Sequence, residues 1–587
     1  MDPGDALRRL FGFEHFRPGQ AEAVSAALAD RDALVVMPTG SGKSLCYQLP
    51  ALMREDLTLV VSPLVSLMQD QVAALRSVAP GQVELVNAQR GGAANAEALA
   101  RAAAGGVRML YVAPERFASP RFAEAIARIR VGLFVVDEAH CISQWGHDFR
   151  PDYFFLADAA RRVGARATMA LTATATPAVA EDIARRLALR DPVRVTTGFD
   201  RPNLSFAVVR CGTAVDKRRR LAAALSDSDP AHPALPAIVY AGTRRASEDV
   251  AGFLRRALGE EVLAYHAGLD RGVRAATQER FMSGEARVIV ATNAFGMGID
   301  KADVRTVCHA TVPGSLEAYY QEAGRAGRDG DPARCLLFAE QRDKGLHVFF
   351  IQRSRLEAGV FERVVERLQW AGLDGRYDVA VSELASDVGP GADAETVRAI
   401  IGHLVRAGLV VPQPAPPDRA AGLVVGEWDR GALARCLGSS RDAERARWAQ
   451  YRSVWGYVEG AGCRRGALLA HFGDRSATAP SVACCDVCSP SVVPSTPDVV
   501  SRPAGDLDAA ILDVVVSAAP PVGRTRAVEI LRGGRSKVIG EHAYDRLSSY
   551  GAFAHLRSSE VLGRVDQLLA AGTLRSTGGR FPKLRAA

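Results

Sequence analysis

The stretch "MPTGSGKS", residues 37–44, has the residue types and spacing to hold phosphate. Gly40 and Gly42 let the backbone turn tightly and aim N–H groups at anionic oxygens, with Thr39 and Ser41 completing the loop. Lys43 adds a point charge at the β- and γ-phosphates, and the Ser44 hydroxyl can ligand Mg²⁺. The apolar run "ALVV" precedes this loop and the helix-like "LCYQLPALM" follows it, the setting such a loop requires. Met37 stands where the strict pattern has glycine. A second chemical group ends the run "GLFVVDEAH". Asp137, at the C-terminal end of a parallel strand, can hold Mg²⁺ through water, and Glu138 can polarise an attacking water. His140 can sense the nucleotide and contact a second lobe. Together these residues point to hydrolysis of a nucleoside triphosphate.

A third group is the set Cys463, Cys484, Cys485 and Cys488. Thiolates suit Zn²⁺, four of them close a tetrahedral structural site, and the two-residue gap from Cys485 to Cys488 is a normal knuckle spacing. Cys484 is directly adjacent to Cys485, so the fourth ligand is either Cys484 or another group such as His471. Ten cysteines in 587 residues are too sparse for a disulfide scaffold and fit a reducing compartment.

These sites need elements to position them. The length exceeds what one core supports, so several domains are expected. With 48% hydrophobic and 24% charged residues this is ordinary globular material. The net charge of +7 permits an anionic partner without demanding one. No signal peptide or membrane span is expected, so a cytoplasmic protein is anticipated, nucleoid-associated if bacterial. Between residues 34 and 176, β-rich runs ("ALVVM", "LTLVVS", "RMLYVA", "GLFVVD", "ATMALTAT") alternate with helical stretches, the pattern of a parallel sheet covered by helices. A second set ("AIVYA", "EVLAYHA", "RVIVAT", "TVCHAT") implies a second α/β lobe. Helices dominate beyond residue 342, and "ETVRAIIGHLVRAGLVV" suggests an inserted winged helix. The block "VVPSTPDVVSRPAG" is a linker by composition. From residue 501 onward 13 Lys/Arg face 8 Asp/Glu, so this tail accounts for +5 of the charge.

The motifs taken together, "MPTGSGKS", "VVSPLVSLMQDQV", "YVAPERF", "DEAHCISQWGHDFRPDY", "LTATAT", "VIVATNAFGMGIDKADVR" and "YYQEAGRAGRDG", resemble the RecQ family of superfamily 2 DNA helicases. The resemblance runs from residue 11 to about residue 339. "HCISQWGHDFRP" and "QEAGRAGRDG" separate this family from other DExH helicases. It implies an α/β fold: two RecA-like parallel-sheet lobes, a helical zinc-binding subdomain and a C-terminal winged helix. The ranges expected are 1–205 for lobe 1, 206–340 for lobe 2, and 341–490 for the zinc-binding region with the inserted winged helix at 357–430. A linker at 491–505 and an RQC-like winged helix at 506–587 follow.

The resemblance also assigns roles. ATP, Mg²⁺ and Zn²⁺ are the expected cofactors, and single-stranded and duplex DNA the expected partners, with protein partners unknown. Arg325 and Arg328 would stabilise transition-state charge at the triphosphate, and Asp300 would couple lobe 2 to the nucleotide. In "FGFEHFRPGQ", Arg17 would cover the adenine and Gln20 would bond its edge. Phe13 would either stack on the base or plug the core. The loop behind Asp137-Glu138 carries Trp145 and Phe149, whose rings suit stacking on bases of any sequence, and Arg150, which can meet phosphate. Ser62, Gln69, Arg116 and Asn293 are further strand contacts directed at the backbone. His266 is either near the strand track or a satisfied core histidine. In the tail, residues 558–572 read as a recognition-type helix and "TLRSTGGRF" as a wing with Gly578-Gly579 as a tight turn. Arg557, Arg575, Arg580 and Lys583 can face duplex phosphates. The activity implied is ATP-dependent unwinding by 3′–5′ translocation on single-stranded DNA, in recombination and repair. Two rivals stand beside it: an RNA-directed DExH helicase, and a DNA-binding or strand-annealing protein with a weak motor.

Overall fold

The computed structural model describes residues 2–587 apart from 64, 88–89, 144–150, 227–232, 297–298, 300, 371–372, 391, 414, 416–417, 477–479, 494–505, 535, 554–555 and 580–581. The chain forms two units, 1–494 and 495–587.

The first lobe is a seven-stranded parallel sheet made of β1 (Ala33–Val36), β2 (Leu57–Val61), β3 (Val83–Val86), β4 (Met109–Val112), β5 (Val131–Val136), β6 (Ala167–Thr172) and β7 (Val193–Thr196). The order is β3-β4-β2-β5-β6-β1-β7. The central strands are buried along their full length, so they read as continuous apolar runs rather than alternating ones. Helices cover both faces, giving one core built on Leu59, Phe134 and Ala170 and another on Val35, Val135 and Met169.

The second lobe repeats the plan with β8 (Leu204–Arg210), β9 (Ala237–Tyr240), β10 (Val262–Tyr265), β11 (Val288–Ala291), β12 (Thr306–His309) and β13 (Ala333–Ala339), in the order β10-β11-β9-β12-β13-β8. Every pairing is parallel. A boundary after residue 205 would cut β8, which pairs with β13 from Leu204 onward, so the second sheet starts before that point.

Ala358–Val424 follow the order helix, strand, helix, helix, strand, strand, which is that of a winged helix. Its antiparallel sheet joins β14 (Arg376–Ala380), β15 (Val410–Gln413) and β16 (Arg419–Val424) in the order β14-β16-β15. Its third helix, Ala394–Arg406, is the one that enters a groove in DNA-reading versions of this fold. Here Val397, Ile400, His403, Leu404 and Val405 of that helix are buried. It packs on the 30-residue helix Arg430–Glu459, and β15 packs on the turn Pro114–Ala118 of the first lobe. Phe154 and Phe155 of the first lobe join the same core. This insertion is therefore built into the motor rather than displayed beside it.

The long helix leads to a short helix, Arg464–His471, and the cysteine cluster. Residues 484–486 add to the free edge of β8. Phe206 N donates to Cys484 O at 3.2 Å, and Asp486 N donates to Phe206 O at 3.1 Å.

The second unit packs helices Leu507–Ser517, Arg524–Leu531 and Ser558–Ala570 around Ile511, Ile530 and Val565. The hairpin β17 (Leu574–Ser576) and β18 (Leu584–Ala586) closes it. The expected tight turn at Gly578-Gly579 borders residues 580–581, which lie outside the described residues. Thr577 N donates to Lys583 O, and Gly579 takes a positive φ of 107°. Arg557, Arg575 and Lys583 are exposed, and Arg580 lies outside the described residues.

Candidate active site

The phosphate loop runs from β1 to the helix Leu45–Met53. Gly40 and Gly42 take φ of 83° and 81°. The φ of Gly42 requires glycine there, and an added Cβ would lie 2.6 Å from Gln20 Nε2, displacing that amide from the loop. Ser44 is the N-cap of the following helix, which places the helix dipole and free N–H groups at the loop. Lys43 Nζ donates to the carbonyls of Met37 (3.1 Å) and Pro38 (3.3 Å). Burial lowers the Lys43 pKa, and Glu138 and Asp137 oppose that shift.

Asp137 follows β5, and its backbone N–H donates to Val61 O at 2.9 Å. Burial and then Glu138 push its carboxyl up to about 7, while Lys43 pulls it down. A divalent cation beside Ser44 and Asp137 would favour the ionised form. Glu138 sits at φ 48°, a left-handed conformation unusual for a residue with a side chain. Its Oε2 lies 3.4 Å from His140 Nδ1, and His140 Nδ1 lies 3.0 Å from Thr172 Oγ1. Thr172 ends β6 within "LTATAT", so the acid pair is wired to the next strand. The Tyr153 hydroxyl donates to Asp137 O at 3.0 Å. Among the described residues the buried Thr39 Oγ1 has no hydrogen-bond partner, as a group reserved for a ligand would. A triphosphate with Mg²⁺ fits this donor and acceptor set.

The N-terminal segment lies against the phosphate loop. Gln20 is buried, and its amide donates to Ser41 O (3.1 Å) and Gly42 O (3.0 Å) while accepting from Arg17 N (2.9 Å). Arg17 donates to Gly40 O at 2.8 Å. Both side chains brace the phosphate loop, beside which Arg17 was expected to cover the adenine and Gln20 to bond its edge. Phe13 is 52% exposed, which is incompatible with a core plug and leaves its ring open for stacking.

From the second lobe, Arg328 reaches the loop: a Cβ on Gly40 would lie 3.7 Å from Arg328 Cγ. Arg328 Nη1 donates to Ile299 O at 2.9 Å. Arg325 is buried and donates to Gly296 O at 2.5 Å, so its guanidinium is turned into the second lobe. Asp300, Trp145, Phe149 and Arg150 lie outside the described residues.

Among the expected strand contacts, Gln69 and Asn293 are exposed and Arg116 is half-buried. Ser62 is a correction: it is 1% exposed at the end of β2, where its hydroxyl cannot meet a strand. His266 is buried, with Nε2 3.0 Å from Glu248 Oε1 and, among the described residues, no hydrogen-bond partner for Nδ1.

Arg201 was not anticipated. It lies on the linker from β7 to β8 and bonds the phosphate loop and the "QEAGRAGR" segment at once. Arg465 was missed too. It is fully buried, bonded to Asp200, to Leu204 O and, at 2.9 Å, to Arg201 O. The "CRRG" run carried that signal only as two basic residues in an apolar helix.

The four cysteine sulfurs lie within 4.8 Å of one another. Cys463 Sγ is 3.6 Å from Cys484 Sγ and 3.9 Å from Cys485 Sγ. A tetrahedral site with Zn–S of about 2.3 Å needs sulfurs about 3.8 Å apart, so the set fits Zn²⁺. Burial would raise the Cys485 thiol, but N–H donors from Cys488, Arg464 and Val487 bring it down to about 7, near the thiolate a metal requires. His471 is engaged elsewhere, with Nε2 2.8 Å from Glu317 Oε1 and Nδ1 3.3 Å from Ser453 Oγ.

The sequence matches the DEAD/DEAH box helicase family over residues 17–183 and the helicase conserved C-terminal domain over 216–330. It matches the RecQ zinc-binding family over 429–489 and the RQC domain over 506–587. The ATP-dependent DNA helicase RecQ of Bacillus subtilis is 32% identical over 582 residues, covering 98% of this chain and 81% of that protein. The chain belongs to the RecQ family. The RecQ of Pasteurella multocida is 41% identical over 351 residues, and there the alignment spans 60% of this chain and 54% of the relative. Among solved structures, the DUF1998 helicase MrfA bound to DNA and AMPPNP superposes with a TM-score of 0.50 at 18% identity, over 74% of this chain and 62% of that one. That likeness shows the shared fold. No described helix of this RecQ protein is long and apolar enough to cross a membrane.

Proposed function

We propose that this RecQ protein is an ATP-dependent DNA helicase that moves 3′–5′ along single-stranded DNA and separates duplexes in recombination and repair. The observation that carries this is Arg328 of the second lobe packed against Gly40 of the first lobe's phosphate loop, opposite Asp137 and Glu138. A charge donated across a cleft between lobes makes hydrolysis depend on lobe closure, and closure moves whatever strand the lobes grip. Lys43 and Ser44 hold the phosphates and Mg²⁺, and Glu138 orients water. Zn²⁺ on the four cysteines is structural, since no ligand position is left open. The exposed Arg557, Arg575 and Lys583 of the C-terminal winged helix supply charge for duplex phosphates. A cytoplasmic, nucleoid-associated placement accords with this activity.

The deciding experiment is ATP turnover with and without single-stranded DNA, beside strand displacement on a duplex with a 3′ overhang. DNA-stimulated turnover with unwinding is expected. Equal stimulation by RNA would favour the RNA-directed rival. Annealing without stimulated turnover would favour the strand-annealing one.

A further inference from the structure

Arg201 belongs to neither sheet. It sits between β7 and β8, on the segment that joins the lobes. Its Nη1 donates to Thr39 O (3.3 Å), in the phosphate loop, and to Gly324 O (3.2 Å), in the second lobe. Its Nη2 donates to Ala326 O (3.0 Å) and Gly327 O (2.9 Å). One planar guanidinium thus ties the loop that grips phosphate to the backbone of Gly324–Gly327, which carries Arg325 and leads into Arg328. A guanidinium can do this because its donors form a rigid fork; an ammonium offers only a point charge.

The partners are informative. All four acceptors are carbonyl oxygens, and among the described residues Arg201 has no carboxylate at ion-pair distance. A carbonyl ties the cation to backbone position, so the bonds report the path of the chain rather than the rotamer of a side chain. The linker itself is fixed from behind. Arg465 donates to Arg201 O and bonds Asp200, Phe199 N donates to Asp474 Oδ2 at 2.7 Å, and Phe199 stacks on Phe472 with centroids 4.5 Å apart. The staple is thus anchored on the subdomain that carries the cysteines, outside both lobes.

We propose that Arg201 is a positioning residue for ATP hydrolysis: by holding Gly324–Gly327 against Thr39 it sets how far Arg328 reaches over the phosphate loop. The inference rests on the helicase reading above. Arg201 touches no reacting atom in this role; it acts through Arg328.

The test uses the full chain carrying Arg201→Ala, Arg201→Lys, Arg328→Ala, and Arg201→Ala with Arg328→Ala. Single-stranded-DNA-stimulated turnover should fall about 100-fold in Arg201→Ala, the scale of a misplaced catalytic group, with KM for ATP little changed. Arg201→Lys should recover part of kcat, because one carbonyl pair can still be bonded. The double variant should be no slower than Arg328→Ala alone, since a positioning residue has nothing left to position. Losses that multiply in the double variant would show an independent role and overturn the proposal, as would unchanged kcat in Arg201→Ala. Hydrogen exchange of the nucleotide-free protein is measured in parallel. Faster exchange at residues 324–328 in Arg201→Ala, with the winged helix unaffected, is expected, and unchanged exchange there would overturn the staple. If the unmodified protein shows no DNA-stimulated turnover, the helicase reading fails, and the exchange data still decide the role of Arg201.

Discussion

His471 Nε2 lies 2.8 Å from Glu317 Oε1, joining the helix that follows Cys463 to the helix that leads into Arg325. Burial would raise the Glu317 carboxyl, but the bond from His471 outweighs it and holds the pKa below its ordinary value. A depressed carboxylate stabilises the folded state above its unfolded pKa, and that contribution is lost as pH falls through the folded value. Glu317→Gln should therefore lower stability by roughly 2 kcal/mol at neutral pH, the scale of a hydrogen bond to a charged group. The gap should close below about pH 4, near the ordinary glutamate value. Denaturant unfolding at pH 7 and in acid checks this; a gap that widens in acid would contradict it.

His403 gives a second pH dependence, inside the inserted winged helix. Burial, then Arg406 and Arg447, depress its pKa to about 3. Its Nδ1 faces Ser439 Oγ and Arg406 Nη2, both at 2.9 Å. An unfolded histidine takes up its proton near pH 6.5, so between that value and pH 3 the unfolded state binds more protons. Stability should drop by up to about 1.4 kcal/mol per pH unit over that window. His403→Gln should flatten the slope, read from the fluorescence of Trp370 and Trp428 against pH.

Lys43→Ala should reduce ATP turnover at least about 100-fold, since a preorganised charge at the transferred phosphate is lost. Binding of single-stranded DNA, followed by fluorescence anisotropy, should be nearly unchanged, because Lys43 is committed to the phosphate loop. Parallel loss of both would remove Lys43 from its assigned role.

The purified protein should carry one Zn²⁺ per chain by elemental analysis. Cys484→Ser should weaken metal retention about as much as Cys463→Ser. Retention at the unmodified level in Cys484→Ser would mean that this thiol is not a ligand. Removal of Zn²⁺ by a chelator should also lower thermal stability of unit 1–494, because residues 484–486 pair with β8.

Trp145→Ala should leave basal turnover in place and abolish its stimulation by single-stranded DNA. Full stimulation in the variant would mean that the aromatic loop does not couple strand occupancy to the acid pair.

The phosphate loop, the acid pair and the cysteine cluster were legible because each is local: residue types at fixed spacing beside an apolar run. The strands at sheet centres were legible for the same reason, being unbroken apolar stretches such as "GLFVV". The edge strands β3 and β7 escaped, since four residues such as "VRVT" with two exposed positions carry little pattern. β8 and β13 lay outside the matched runs and were found only through their mutual pairing. Arg201 and Arg465 were illegible for a deeper reason. Their partners are mostly carbonyls, up to 264 residues away in the chain, and backbone acceptors leave no residue type to read. The winged-helix pattern of residues 357–430 was visible, but the burial of its third helix depends on Phe154, Phe155 and the long helix, which no local pattern announces.

The pairing of residues 484–486 with β8 has a consequence during synthesis. A bare sheet edge is a template for wrong pairing between chains. Ribosomes add about 5–20 residues per second, so β8 emerges tens of seconds before the segment that covers it. Cells short of zinc would lengthen that interval, because the segment is held by the cysteine cluster. Metal supply during translation, rather than any property of the finished motor, would then govern how much of the protein is lost to aggregation.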